Sequence, residues 1–330
     1  MIRRKYNSNE RGQVIVIVAI CLVCFVGMVA LVVDVGSIYQ ERRHVQTVAD
    51  SAALAGAQDL PENRNKAIQT AIEYAGLNGV TITEGDISFS KTYLPPESLM
   101  FDTIRVNPTG INAELFFAPV LGINSATVNA AATAVAGGPL SMTGLMPWAI
   151  PMDEYPEGLE YGEKYDLKVG PNKKKEPGWF QLMAFDGPGG FVYGETILNG
   201  CETEIFLWDP PYDSLDGNKA GPTESKVKQR VEGHEDCTFD EVVGINDDSE
   251  YYVKKACPKI VYIPVIEEKP TPPDKVAVVI DFYVFFLEDV EEIDKNLFDV
   301  KGKFVEECMV VSSGEITGYS GGIKIIRLIE

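Results

Sequence analysis

From Val14 to Val33 every position is apolar or glycine, a run of 20 residues without Pro or charge. At about 1.5 Å per residue such a helix is roughly 30 Å long, the thickness of a bilayer's hydrocarbon core. Val and Ile form helices poorly in water, but in lipid an unpaired backbone amide costs far more than lost rotamer freedom. The run exceeds the apolar region of a cleaved signal peptide and predicts a retained, membrane-spanning anchor. Arg3, Arg4, Lys5 and Arg11 precede it against Glu10, whereas Asp34 and Glu41 follow it before Arg42 and Arg43. This bias predicts a cytoplasmic N-terminus over residues 1–13, a span over 14–33, and the bulk of the chain outside the cytoplasm. Asp34 falls at the outer edge, where a carboxylate can reach interfacial water. No second run of that length occurs: Val276–Phe286 is short, is broken by Asp281, and reads as a buried strand.

Beyond the anchor the chain continues without Pro to Asp59, which predicts a juxtamembrane helix over residues 34–60. Val45, Val48, Ala49, Ala52, Ala53, Gly56 and Ala57 recur at spacings of three and four and form one narrow face of small residues. Small residues at this spacing let another backbone approach closely. Gln46 and Asp50, four apart, are placed to meet on the helix surface. Two uses of the face are open: docking onto partner helices, or packing on the chain's own globular domain.

These residues carry a resemblance. Arg11-Gly12-Gln13, the apolar run, Asp34-Val35-Gly36, then Arg42, Gln46 and Ala49 to Ala57 with Asp50, Ala53 and Gly56 inside it, resemble the N-terminal signature of the TadE/TadG-like Flp pilus-assembly family. The likeness spans about the first 60 residues without gaps, with Val45 and Val48 as departures toward β-branched side chains. The resemblance implies a pseudopilin-like, non-enzymatic membrane protein that assists assembly or surface anchoring of a tight-adherence pilus. Its implied partners are membrane lipid and other pilus-assembly or pilin-like membrane proteins. Pilins usually carry Glu five residues after a glycine cleavage site; counted from Gly12 that position is Ile17, so an uncut N-terminus resident in the membrane is expected. A looser likeness to C-terminal regions of such proteins lies in the segments that begin at Glu176, Cys257 and Val300.

The remainder reads as two folded parts. Pro61 is suited to a helix's first turn and predicts a second helix with Ala67, Ile68, Ala71, Ile72 and Ala75 inward, ending at Gly76–Gly79. Two strands around a Pro-Pro turn, a short helix in Ile111–Ile123 and a strand in Ser125–Gly137 complete a small α+β domain over residues 61–137. Gly137–Pro147 punctuates the chain, after which apolar strand patterns dominate and helical periodicity is confined to Thr223–Glu232. A mainly antiparallel β domain over 138–330 follows. The fold class is therefore α+β: one transmembrane helix extended by an amphipathic helix, a small α+β domain, then a β domain.

Composition narrows the function. The 330-residue chain carries a formal charge of −20, which opposes phosphate backbones and argues against nucleic acid as a partner. Of six cysteines, Cys21 and Cys24 lie in the apolar run, where a thiolate would not form readily, and read as small apolar side chains. Cys201, Cys237, Cys257 and Cys308 could form two disulfides in an oxidising compartment, with three pairings open, or stay as buried thiols. The two histidines, His44 and His234, lack a second ligand pair, so no metal site is expected. Asp86, Ser88 and Ser90 form an Asp-x-Ser-x-Ser that could hold Mg²⁺ at the end of an apolar strand, but polar residues precede it and the polar side of a strand accounts for it. No nucleophile motif, phosphate loop or dinucleotide fingerprint occurs, so neither enzyme activity nor a cofactor is expected. The competing reading is an envelope-anchored module that binds surface polymer or carbohydrate through aromatics such as Trp179 and Trp208.

Overall fold

α1 (Glu10–Ala57) is one uninterrupted helix of 48 residues, about 70 Å long at the standard rise. The computed structural model describes residues 10–96, 98–155, 159–169, 181–208, 211–215, 219–245, 251–268, 270, 275–294, 297–310, 315–318 and 322–329. Its chain divides into two units: Met1–Ser90 with Leu99–Val135 and the residues from Leu328 on, and Lys91–Ser98 with Ala136–Arg327. The juxtamembrane helix, residues 34–60, thus shares a unit with the small domain that follows it.

In the first unit the distal half of α1 packs against α2 (Arg64–Leu77) and against the strand β2 (Thr103–Val106). α2 starts later than the sequence suggests. Asn63 caps it, its side chain accepting from the Lys66 amide at 3.0 Å, and Pro61 lies in the preceding turn. Ala67, Ala71 and Ala75 are buried while Ile68 and Ile72 are half-buried, because a helix packed this closely admits only methyl groups at its centre. β1 (Ile87–Ser90) and β2 pair antiparallel, and β2 pairs antiparallel with the start of β5 (Ala132–Pro139), which carries the chain into the second unit. Between them β3 (Asn112–Glu114) and β4 (Ser125–Thr127) form an antiparallel hairpin. The short helix expected across Ile111–Ile123 is thus a strand followed by a single 3-10 turn at Ala118–Leu121.

The second unit centres on a six-stranded sheet. Its strands are β6 (Trp148–Pro151), β7 (Lys164–Val169), β8 (Gln181–Leu182), β9 (Ile260–Ile266), β10 (Val279–Asp294) and β11 (Leu297–Val305), in the order β7-β11-β10-β9-β6-β8. Every neighbouring pair is antiparallel except β9 with β6. Of the run predicted as one buried strand, Val279 to Phe286 is the start of β10, with Phe282 and Phe285 fully buried, while Val276–Ala277 pairs separately with Tyr212–Asp213. Asp281, which interrupts it, is also buried. The acidic stretch after it, Glu288–Asp294, prolongs β10 and is edged by lysines: Glu288 lies 3.7 Å from Lys164, and Glu291 pairs with Lys301. Gly302 of β11 sits opposite Leu287, where an added Cβ would fall 2.1 Å from the Phe286 carbonyl oxygen.

Two helices cover this sheet, α3 (Gly190–Asn199) and α4 (Ala220–Val231), and their Tyr193, Ile197 and Val227 join its core. α4 overlaps the expected periodic segment; α3 was not expected. One buried hydrogen-bond chain ties both to β6: Trp148 Nε1 donates to Tyr193 Oη at 2.8 Å, and Tyr193 Oη lies 2.7 Å from Thr223 Oγ1. Among the described residues, the predicted strand patterns from Lys259, Lys303 and Ile323 fall on the strands Ile260–Ile266, Leu297–Val305 with Glu307–Val310, and Ile323–Ile329.

Candidate functional site on the membrane-proximal helix

α1 presents two different surfaces along its length. Its apolar window has a mean hydropathy of 3.3 and none of it is buried in the chain. Leu22, Val23, Phe25 and Leu31 are each at least 60% exposed. Apolar surface this extensive does not stay in water. Cys21 and Cys24 lie exposed on this stretch as free thiols. The distal half is the reverse: Val45, Val48, Ala49, Ala52, Ala53 and Ala57 have no exposed surface. At Gly56 an added Cβ would fall 2.8 Å from Ile104 Cδ1, 2.9 Å from the Ala67 carbonyl oxygen and 3.2 Å from Ala71 Cβ. The small residues therefore bring α1 against α2 and β2 of its own unit. Of the two uses left open by the sequence, the self-packing one occupies this face.

The polar residues of the motif act at its edges. Gln46 Nε2 donates to Asp50 Oδ1 at 2.8 Å and to the Ala131 carbonyl at 3.1 Å, which ties the helix to the chain just before β5. Arg42 and Arg43 are exposed, and Gly36 is exposed with nothing within 4 Å of an added Cβ. Asp34 departs from expectation. It does not depend on interfacial water: it is 8% exposed and accepts from three consecutive backbone amides, Phe116 at 2.8 Å, Phe117 at 3.1 Å and Ala118 at 2.7 Å. These donors stand more than 80 positions away in the sequence, so no local pattern could have revealed them. The side chains of Arg11, Gly12 and Gln13 lie outside the described residues.

The remaining candidates are structural in their surroundings. Asp86 closes a capping box with Thr83, whose amide and hydroxyl both donate to Asp86 Oδ2, while Thr109 donates to Oδ1. Ser88 and Ser90 point to the exposed side of β1. The oxygens of the Asp-x-Ser-x-Ser thus do not converge. Burial pushes the Asp86 carboxyl up, but the Thr109 and Thr83 hydrogen bonds outweigh it and hold it below the usual carboxylate range. Cys201, Cys237 and Cys257 are free thiols. Cys201 is buried and donates to the Thr203 carbonyl at 3.2 Å; burial, then the nearby Asp186 carboxylate, push it up to about 11. Burial, then the neighbouring Cys237 thiol, raise Cys257 above its usual value. The side chain of Cys308 lies outside the described residues, as does Trp179. Trp208 is 53% exposed at φ 59°, with its amide bonded to the Val279 carbonyl at 2.8 Å.

The second unit also holds a buried polar group around Lys324, whose Nζ lies 3.9 Å from Glu306 Oε1. Tyr161 and Tyr283 stack nearby at 6.2 Å between centroids. Burial, then the Asp281 carboxylate, push the Tyr283 phenol up to about 12. Such a shift moves a phenol away from the range in which acid–base exchange runs near neutral pH.

The arrangement defines a class: a membrane-anchored α+β protein in which the anchor helix, continued without a break, also serves as a core helix of the first domain. Residues 12–59 match a family model, Tad, described as Flp pilus-assembly TadE/G-like. The matched segment runs from the start of α1 to just past its end and takes in every motif residue from Gly12 to Ala57; the C-terminal segments with a looser likeness lie beyond it. The match supports a role in Flp/Tad pilus assembly. Comparison with curated proteins and with solved structures found no match.

Proposed function

We propose that this chain is a membrane-anchored, non-enzymatic, pseudopilin-like component in the assembly or surface anchoring of a Flp/Tad-type pilus. In this reading it crosses the inner membrane once, with its N-terminus in the cytoplasm and both folded units outside, and its partners are other pilus-assembly or pilin-like membrane proteins. The carrying observation is α1 itself: a helix of 48 residues, exposed from Val14 to Val33 at every position but Ala30, and buried along its distal face of Val45, Val48, Ala49, Ala52, Ala53 and Ala57. A helix of that kind fixes a folded domain at a set height and orientation above a bilayer, since the packed part and the spanning part share one rigid axis. Assembly subunits need this more than catalysts do.

The test is co-purification of the full chain from membranes, with mass spectrometry of the intact protein and of what accompanies it. Pilus-assembly proteins in the complex, and loss of surface pili when the chain is removed, are the expected results. Surface labelling of intact cells should reach lysines beyond residue 36. A freely soluble full-length product, or shielding of those lysines in intact cells, would overturn the reading, and a mass lacking the residues through Gly12 would overturn the uncut N-terminus.

A further inference from the structure

We propose that the tip of the β3–β4 hairpin, residues 115–123, is a second membrane contact: a short foot that lies in the outer interface of the same bilayer that α1 crosses. The tip reads Leu-Phe-Phe-Ala-Pro-Val-Leu-Gly-Ile, nine positions without a charge or a polar side chain. Its side chains are unpartnered in the chain: Phe116 is 69% exposed, Val120 88%, Leu121 81% and Ile123 54%. Water-facing apolar surface on this scale marks a contact with something else.

The height of the tip along α1 identifies the occupant. The hairpin runs along α1 toward the anchor. Val45 packs with Ala113 and Val128, Ser37 Oγ donates to the Glu114 carbonyl at 2.8 Å, and Asp34 takes the amides of Phe116 and Ala118. As the hairpin advances from position 113 to 118, its partners on α1 step back from position 45 to 34. Asp34 follows directly on Val33, the last residue of the apolar run, and Val33 and Phe116 line one groove with Gly36 and Ser37. The tip is therefore pinned where the hydrocarbon ends, on the level at which aromatic and aliphatic side chains partition into a bilayer. The Asp34 carboxylate has a defined part in this: it satisfies three amides of the turn, which would otherwise meet the interface unpaired.

The inference rests on α1 being a membrane anchor, and the test separates the two. The full chain is reconstituted in phosphatidylcholine–phosphatidylglycerol vesicles with a photoreactive benzoylphenylalanine in place of Leu121, of Leu22 in the anchor, or of Leu77 on α2. Leu77 adjoins Asn78, which bonds Ser51, roughly 27 Å further along α1 than Val33. Lipid adducts at positions 121 and 22, with none at 77, are expected. Adducts at 22 but none at 121 would overturn the foot and leave the anchor standing. Adducts at 121 to a second protein chain alone would replace lipid by protein as the occupant and equally overturn it. Failure at 22 as well would remove both readings together.

Discussion

Substituting Ala for Gly at two positions of α1 should move stability in opposite directions. In a helix interior, Gly→Ala ordinarily stabilises by about 0.5–1 kcal/mol, because Ala has fewer unfolded conformations to lose. At Gly36 an added methyl meets nothing within 4 Å, so that gain should appear undiminished. At Gly56 the methyl would fall 2.9 Å from the Ala67 carbonyl oxygen, which belongs to the α2 backbone and cannot rotate away, and 2.8 Å from Ile104 Cδ1. Overpacking of this kind costs about 1–3 kcal/mol. Set against the propensity gain, Gly56→Ala should lose about 1–2 kcal/mol, an increase of roughly 5- to 30-fold in the opening of α2 from α1. Amide hydrogen exchange of the full chain in detergent, followed by mass spectrometry over Arg64–Leu77, reads that opening directly. Gly36→Ala is the matched control and should leave α2 exchange unchanged or slower. Unchanged or slower α2 exchange in Gly56→Ala would refute the packing of α1 on α2, and would return the small-residue face to partner docking.

Three further outcomes follow from the geometry. Tyr193→Phe removes the buried hydrogen bond from Trp148 Nε1–H and the contact with the Thr223 hydroxyl, while Thr223 keeps its bond to the Lys219 carbonyl. A loss of about 1–3 kcal/mol is expected, visible as a fall of roughly 2–10 °C in the thermal midpoint followed by tryptophan fluorescence; no shift would show that the chain of bonds contributes nothing. Cys201, with its thiol pushed up to about 11, should resist iodoacetamide at pH 8 in the native protein and react on unfolding, since its thiolate fraction is about 100-fold below that of an ordinary thiol. Native alkylation within minutes would contradict its burial. Asp86 is held below the usual carboxylate range in the fold, so its stabilising effect is complete above the ordinary carboxyl range and is lost as pH falls through the folded value. Amides near Thr83 and Thr109 should exchange faster below about pH 4 than the acid-corrected intrinsic rate allows, and Asp86→Asn should flatten that dependence.

The anchor was legible because its signal needs no partner. A charge-free run as long as a bilayer is thick has few other folds open to it, and β10 was readable for a similar reason, being apolar on both faces in the middle of a sheet. Other elements depended on distant residues. The segment Ile111–Ile123 was expected to hold a short helix, but Pro119 and Gly122 limit it to one turn, and its amides are satisfied by Asp34 rather than by a longer helix. α3 escaped notice because Gly189 supplies no side-chain cap and Phe191, Val192, Tyr193 and Ile197 favour strands; Tyr193 holds it in place through Trp148 and Thr223, which lie 45 and 30 positions away. The small-residue face was visible, but its occupant was not. Alanines at that spacing admit any close backbone, and only the placement of Ile104 and Ala67 decides which one arrives.

That occupancy constrains how α1 can serve an assembly. A helix has a limited circumference, and between Val45 and Ala57 the face able to accept another backbone is filled by α2 and β2. A partner that grips α1 there must either displace α2, at the cost of exposing Leu60 and the buried alanines, or lie on the opposite side, where Arg43 and Thr47 present charge and hydroxyl to solvent. The spanning half has no such competition. From Val14 to Val33 every side chain but Ala30 is exposed, and Gly27 leaves a notch in which an added Cβ would touch nothing. Helices in lipid associate by close packing at such notches, without a hydrophobic drive. Close packing of a further helix onto α1 is therefore open along the exposed apolar half, whereas the small-residue face beyond it is taken by α2 and β2. Gly27→Leu should on this argument weaken co-purification of partner membrane proteins while leaving α2 exchange untouched, and an unaltered complex would place the partner contacts outside the membrane.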